Sequence, residues 1–243
     1  MSASAHAPGH CATAPPQAEG GASGSSRGAA ASRREGVSAL TLNRVSVYLR
    51  SLRELEGRGV RSVSSQQLAD HFHLSSSQIR KDLAQFGEFG VRGVGYEVSA
   101  LADKLSALLG LNRLRRLIIV GMGNLGSALA RHPAFNRENF LVVAGFDADP
   151  EKVGRRIGNV PVLAMEALGS QVAELGAAIA ILAVPAEAAS AVLAAVVEAG
   201  VPAVLNFAPA SLPSSLRCRV KNVDLRIHLE ELSFFLSDSA SSP

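Results

Sequence analysis

The chain has 243 residues, of which 47% are hydrophobic and 19% are charged, a composition typical of a globular protein with one or two domains. It contains no stretch of roughly 18 consecutive apolar residues that could span a membrane, and its N-terminus lacks the apolar core of a secretory signal. Two distant cysteines, Cys11 and Cys218, give neither a disulfide framework nor a metal-ligand spacing. We therefore expect a cytoplasmic protein with no metal site.

The charge is unevenly distributed. The first 116 residues contain 15 Lys and Arg against 9 Asp and Glu, whereas the remainder contains 9 against 12. This asymmetry favours contact between the first half and a polyanion, although a few solvated arginines would give the same count.

The first 36 residues include 25 Ala, Gly, Ser or Pro residues and show no periodicity. Such a segment cannot bury enough apolar surface to offset its ordering entropy, so we predict a disordered tail over residues 1–37. A transit peptide is the alternative, but the segment lacks an amphipathic repeat.

A helix-turn-helix outline follows the tail. The apolar residues of LTLNRVSVYLRSLRELEG recur at helical spacing and predict a helix that ends at Gly57. Ser64 or Ser65 can cap a short second helix that ends near Phe72, and Ser75 or Ser76 can cap a third. Two helices joined by so short a turn are typical of DNA-binding proteins.

The third helix and the glycine-rich segment behind it carry donors suited to DNA. Segment 87–98 reads as a hairpin, or wing, with a strand-like end at Tyr96–Val98. A solvated basic face is the alternative, but a helix-turn-helix, a wing and a local basic excess occur together. We predict a winged-helix domain over residues 38–98. Its predicted DNA contacts are Ser76, Gln78, Arg80, Lys81, Gln85 and Arg92.

A linking helix is predicted for residues 99–116, and strands and helices alternate beyond it, as in a parallel sheet with right-handed crossovers. The fold class is therefore α/β, with a winged helix before a Rossmann-type doubly wound domain over residues 117–224. An amphipathic segment over 225–238 has no following strand. The predicted strands are 117–120, 141–147, 160–163, 179–184, 203–207 and 220–225.

The strongest chemical motif is IIVGMGNLGSALAR, in which three glycines at G-x-G-x-x-G spacing join a strand to a helix. Backbone N–H groups there can approach a pyrophosphate, and Asp147, at the end of the second strand, can accept ribose hydroxyls. Since a 2′-phosphate would meet that negative charge, NADH and NAD+ are favoured over NADP(H). A glycine turn used only for packing is the alternative.

Two further loops, 183–189 and 206–211, follow carboxyl ends of strands, where ligand crevices form in open α/β sheets. Their prolines could instead simply end the strands. The predicted cofactor contacts are Gly121, Met122, Gly123, Asn124, Leu125, Gly126, Asp147, Val184 and Pro185.

The sequence offers no catalytic residue. A nicotinamide dehydrogenase needs a proton donor or acceptor beside its carbonyl substrate, and the second half has only His132, His228, Lys152 and Lys221, with no tyrosine. We therefore expect a regulator and not an enzyme. The alternative is an NAD-dependent dehydrogenase with an N-terminal interaction module.

Six motifs occur in order along the chain: SSSQIRKDLAQFGEFGVRGVGY, VGMGNLGSAL, FDADPEKVG, AVPAEAA, NFAPASL and VDLRIHLEELSFF. Through these motifs the chain resembles, over about residues 39–237, the Rex family of redox-sensing transcriptional repressors. The resemblance implies a homodimer that binds an inverted-repeat operator in double-stranded DNA and leaves it when NADH rises relative to NAD+. It also implies that helix 225–238 is exchanged between subunits, and that Arg50 and Asp224 form a charged link between the domains.

The chain departs from common family residues at three positions. Gln85 stands where many members have tyrosine, His132 replaces a tyrosine common near the nicotinamide or the interdomain link, and Asn124 occupies a position that is arginine in some members.

Overall fold

A computed structural model describes residues 37–72, 74–90, 94–136 and 139–239, with side chains in the last helix as far as Leu236. Residues 1–36 of the tail predicted over 1–37, and the predicted DNA contact Arg92, lie outside the described residues. The chain divides into two compact units, one that ends at Leu105 and one that begins at Ser106. The domain limits given above stay predictions.

The described part of the first unit is mainly helical. Its elements are α1 (Ala39–Gly57), β1 (Ser62–Val63), α2 (Ser65–Phe72), α3 (Ser76–Ala84), β2 (Tyr96–Glu97) and α4 (Val98–Leu108), the last of which crosses the division between the units.

Local side-chain caps define the helix starts of this unit. The Ser64 hydroxyl accepts a hydrogen bond from Gln67 N–H while the Gln67 side chain accepts one from Ser64 N–H, a reciprocal capping box. Ser75 caps α3 by accepting from Gln78 N–H at 3.1 Å. Val45, Leu49 and Leu52 of α1 are buried as its periodicity predicts, whereas Leu42 of the same predicted face is exposed.

The wing segment contains the short strand β2, which pairs antiparallel with β1, so that Val63 lies opposite Tyr96. Gly95 precedes β2 with a φ of +98°, and a Cβ there would lie 2.6 Å from the Val63 carbonyl oxygen, so the close strand approach requires glycine. The predicted strand ends one residue early, because Val98 begins α4 and its N–H bonds to the Arg61 carbonyl at 2.9 Å.

The second unit alternates strands and helices. Its elements are β3 (Arg115–Val120), α5 (Asn124–Arg131), a 3-10 turn (Pro133–Phe135), β4 (Phe140–Asp147), β5 (Arg156–Ile157), β6 (Val160–Ala164), a 3-10 turn (Met165–Ala167), α6 (Leu168–Leu175), β7 (Ala177–Leu182), α7 (Ala186–Glu198), β8 (Ala203–Asn206), β9 (Arg219–Asn222) and α8 (Leu225–Ser239). Arg115 and Arg116, predicted in the linking helix, begin β3, since α4 ends at Leu108.

The seven strands form one sheet in the order β5-β6-β4-β3-β7-β8-β9. All neighbours are parallel except the short edge strand β5, which is antiparallel to β6. Without β5, the order is the 3-2-1-4-5-6 pattern of dinucleotide-binding folds, whose order reverses between β3 and β7. The predicted α/β fold with a doubly wound parallel sheet is confirmed.

Alternate residues of the central strand β3 fill the two faces of the sheet. Ile118 and Val120 belong to one core cluster with Phe146, whereas Leu117 and Ile119 belong to a second cluster on the opposite face. Because both faces are covered, the carboxyl edge of the sheet is left as the place for a crevice.

Helix α8 differs from the others in its exposure. Its apolar side chains are exposed, at 59–66% for Leu225, Ile227, Leu229 and Leu232. Within the described residues, no helix combines the length and apolar character needed to cross a bilayer.

Candidate functional site

The glycine turn after β3 is shaped by close backbone contacts. Gly121 has a φ of +92°, and a Cβ there would overlap the Ala183 carbonyl oxygen. A Cβ on Gly126 would overlap the Gly121 carbonyl oxygen. These two glycines therefore allow the turn and the tight packing of α5 against the sheet.

Gly123 differs from its two neighbours in the motif. A Cβ at Gly123 would meet no atom within 4 Å, so the protein's own packing leaves space beside it. Gly123 is the N-cap of α5 and no side chain caps this helix, so the first backbone N–H groups of α5 remain available for an anion. The opening at Gly123 therefore offers the space and the N–H donors that a pyrophosphate group requires.

Asp147, at the end of β4, is held beside that turn. One of its carboxylate oxygens accepts from Met122 N–H at 2.7 Å and from the Lys152 ammonium at 3.2 Å. The other accepts from Asp149 N–H at 2.9 Å. The carboxylate is thus fixed by three donors, and its second oxygen retains acceptor capacity for a ribose hydroxyl.

Asp147 is ionised in this setting. Burial by itself would raise the pKa of Asp147, but the Asp149 and Met122 N–H groups and the Lys152 ammonium outweigh it, so the pKa lies below its ordinary value. The same contact with Asp147 raises the pKa of Lys152. The carboxyl end of β4 therefore presents an ion pair between Asp147 and Lys152, and the Lys152 ammonium also lies 3.4 Å from the Asp149 carboxylate.

A ladder of backbone hydrogen bonds runs along the carboxyl edge of the sheet. Gly121 N–H donates to the Phe146 carbonyl at 2.8 Å, Ala183 N–H to Val120 at 2.8 Å and Phe207 N–H to Leu182 at 2.9 Å. Val184 and Pro185 follow on this edge, with Pro185 at the N-cap of α7. The predicted crevice residues are therefore brought together where the strand order reverses.

The predicted DNA contacts differ in whether their side chains already have hydrogen-bond partners within the protein. Gln78 donates to the Asp82 carboxylate at 2.8 Å, and Arg80 donates to the Ser65 hydroxyl at 2.8 Å. Lys81 and Gln85 are exposed, and Ser76 is half-buried at the start of α3. Helix α3 and its C-cap residue Gln85 therefore present one ammonium, one guanidinium and two amides, of which the Arg80 guanidinium and the Gln78 amide already have internal partners.

Asp82 is a buried residue of α3 that the sequence analysis missed. Arg44 of α1 donates to both its oxygens, at 2.6 and 2.8 Å, and the Tyr48 hydroxyl donates at 2.8 Å. Burial would raise the pKa of Asp82, but these donors and Gln78 lower it. A sequence signal existed, because Asp82 lies between Ile79 and Leu83 on the apolar face of α3, where a charge needs partners.

Comparison with known proteins covers both units. Residues 36–84 match the family model described as "Putative DNA-binding protein N-terminus", and residues 112–210 match that described as "CoA binding domain". A protein of Syntrophobacter fumaroxidans named redox-sensing transcriptional repressor Rex is 43% identical over 198 residues, which cover 81% of this chain and 94% of that protein. A protein of the same name from Desulforamulus reducens is 45% identical over 197 residues, which cover 81% and 94%.

The chain belongs to the Rex family of redox-sensing transcriptional repressors.

Solved structures of the Rex family agree with the fold. RSP in complex with β-NAD+ and operator DNA is 34% identical, with a TM-score of 0.80 over 84% of this chain and 94% of that chain. RSP in complex with β-NADH is 33% identical, with a TM-score of 0.77 over 84% and 96%.

The pair that the Rex resemblance implies, Arg50 and Asp224, stays a prediction. Arg50 is exposed on α1 of the first unit. Asp224 is exposed just before α8 in the second unit, where its carboxylate accepts from Arg226 N–H at 2.9 Å. His132, at a position of interest in the same family, accepts from Ala134 N–H at 3.2 Å through Nδ1.

Proposed function

We propose that this chain is a transcriptional repressor that senses the ratio of NADH to NAD+, and that NADH releases it from its operator. The observation that carries the proposal is that one chain of the Rex family holds both a helix-turn-helix and a glycine turn with Asp147 at its second strand. The similar protein RSP has been solved in complex with β-NAD+ and operator DNA, and in complex with β-NADH. The dehydrogenase alternative is not favoured, because the relatives are named repressors.

The dinucleotide is assigned to the carboxyl edge of the sheet. The backbone from Gly121 to Gly126, including Met122, Asn124 and Leu125, would hold the pyrophosphate, because Gly123 leaves space and the start of α5 is uncapped. Asp147 would accept a ribose hydroxyl. Val184 and Pro185 would lie nearer the nicotinamide, whose two oxidation states differ by one positive charge.

The operator is assigned to the first unit. Lys81 and Gln85 would contact phosphates or base edges from α3, with Ser76 at its start and Gln78 and Arg80 beside them. A homodimer binding an inverted repeat would place its two α3 helices in major grooves separated by a multiple of about 34–36 Å. The site of action is then the cytoplasm, where the operator DNA lies.

The partner for α8 is a second copy of this chain. Its exposed apolar side chains, among them Leu225 and Leu229, would be covered if the helix were exchanged between subunits. This assignment supports the homodimer proposed for the operator.

Arg50 and Asp224 are proposed as a charged link whose arrangement differs between the NADH-bound and DNA-bound states. R50A should abolish the response of DNA binding to NADH. Since Asp224 also accepts from Arg226 N–H, D224N is the sharper second variant, because it keeps an acceptor there and removes only the charge. An unchanged NADH response in both variants would contradict the proposed charged link.

The decisive experiment is selection from a random duplex DNA pool on immobilised protein, with elution by NADH in one arm and by NAD+ in the other. We expect an inverted repeat that NADH releases much better than NAD+ does. The D147A variant, run in parallel, should retain the same DNA but resist elution by NADH. Recovery of unselected DNA with no effect of either cofactor would overturn the proposal.

A further inference from the structure

The series of backbone hydrogen bonds along the carboxyl edge continues past β8 to the residues just before α8. Val223 N–H donates to the Asn206 carbonyl at 2.8 Å, one residue before Asp224 and two before α8 begins. The edge that carries the glycine turn is thus joined through β7 and β8 to the start of the C-terminal helix.

Two asparagine side chains reinforce the last step of this ladder. Asn206, which is 0% exposed at the end of β8, donates through Nδ2 to Asn222 Oδ1 at 2.9 Å and to the Ala210 carbonyl at 2.7 Å. Its own Oδ1 accepts from Ala208 N–H at 3.0 Å. The buried amide therefore holds the loop that follows β8, which lies at the edge of the crevice.

Asn222, at the end of β9, makes hydrogen bonds to the other end of the same loop. Its Oδ1 accepts from Leu212 N–H at 3.0 Å and its Nδ2 donates to the Leu212 carbonyl at 3.0 Å. Although the residue is exposed, its amide makes three hydrogen bonds, two of them to one loop residue. A solvated surface asparagine would make none of these contacts, so the arrangement holds loop and strand together.

We infer that the Asn206 and Asn222 pair is a positioning clamp. Through it, ligand binding in the nucleotide crevice changes the position of the residues just before α8. The inference rests on the proposed function and names the residues that couple its two ligands. When a nicotinamide ring shifts loop 207–212, the clamp moves the end of β9, and with it Val223 and Asp224. Without the clamp, the loop can respond to the ligand while β9 stays in place.

The test measures coupling, which a merely structural residue would not change selectively. The coupling factor is the ratio of the NADH Kd with saturating operator duplex, as recovered by the selection above, to the NADH Kd without it. For allosteric proteins such factors are about 5 to 150. In N222A we expect the factor to fall to within twofold of 1, while the Kd for NADH alone and for duplex alone stay within about threefold of the wild type.

Ser214 provides a matched control. Its hydroxyl accepts from Val220 N–H at 2.9 Å and donates to the Val220 carbonyl at 3.2 Å, so it joins the same loop region to β9 two residues further from the carboxyl edge. S214A removes a comparable pair of hydrogen bonds and should leave the coupling factor unchanged.

The outcomes separate the clamp from the proposed function. A wild-type coupling factor of 1 would overturn the proposed function and the clamp with it. A wild-type factor well above 1 that N222A retains, or that S214A lowers equally, would overturn the clamp alone. If N222A did not fold by circular dichroism, the isosteric N222D would replace it under the same criteria, because it loses the donor to Leu212.

Discussion

The carboxylate of Asp147 accepts a 2.7 Å hydrogen bond from the main-chain N–H of Met122, and this bond ties the end of β4 to the glycine turn after β3. The residue proposed to read the ribose therefore also holds the turn proposed to bind the pyrophosphate. Its removal should affect both parts of the site.

D147A should weaken NADH binding by about ten- to a hundredfold, because hydrogen bonds to a charged group contribute about 1.5–3 kcal/mol. Isothermal titration calorimetry or NADH fluorescence gives the affinity. D147N is the control, because it keeps acceptor capacity for Met122 N–H and should lose less. Unchanged affinity in D147A would remove Asp147 from the site.

Acidification should remove the stabilising contribution of the Asp147 charge. Because folding lowers the pKa of Asp147 below its ordinary value of about 3.9, the contribution is fully present well above pH 4 and is lost as the pH falls through the folded-state pKa. Urea unfolding of the wild type and D147N should differ most at pH 7 and converge as the pH falls through the folded-state pKa of Asp147. A difference independent of pH would contradict the ionised state.

Two glycines of one motif should respond differently to alanine. G126A should destabilise the protein by about 1–3 kcal/mol, since its Cβ would overlap the Gly121 carbonyl oxygen. G123A has room for its Cβ and should cost about 1 kcal/mol or less, because alanine is only a poorer N-cap. NADH affinity should nevertheless fall in G123A, where the methyl group enters the proposed pyrophosphate space. Full NADH affinity in a stable G123A would place the ligand elsewhere.

Two Arg–Asp pairs in the first unit should differ in their effect on stability. D82A removes the shared acceptor of Arg44, Tyr48 and Gln78, and should cost about 3 kcal/mol in urea unfolding, as expected when a buried pair is broken. D103N breaks the exposed pair with Arg53 and should change stability by about 1 kcal/mol at most. Equal losses of stability in D82A and D103N would show that burial does not determine how much each pair contributes.

K81A should weaken DNA binding almost equally for all sequences and reduce the slope of log K against log salt by about 1, as expected for one phosphate contact. K221A is the control, since it removes the same charge from the exposed face of β9 in the other unit and should leave the slope unchanged. Fluorescence anisotropy at several salt concentrations measures both. If K81A relaxed specificity at a single base pair and left the slope intact, Lys81 would be a base contact.

Periodicity and local caps determined most of the fold. The alternation of apolar strands and amphipathic helices predicted the parallel sheet, and the glycine spacing with Asp147 predicted the turn at its edge, because each signal lies within a few neighbouring residues. The starts of α2 and α3 are likewise local, since Ser64 and Ser75 cap them within three residues.

Only the tertiary structure decided which polar groups meet. β1 is two residues long and shows no periodicity, and more than thirty residues separate it from its partner β2. No local signal in the sequence therefore predicts this pairing. The pairs Arg44 with Asp82 and Asn206 with Asn222 join residues 38 and 16 positions apart, and no spacing rule encodes them. A buried polar group needs a hydrogen-bond partner, and the packing of the helices and strands determines which side chains are close enough to provide one.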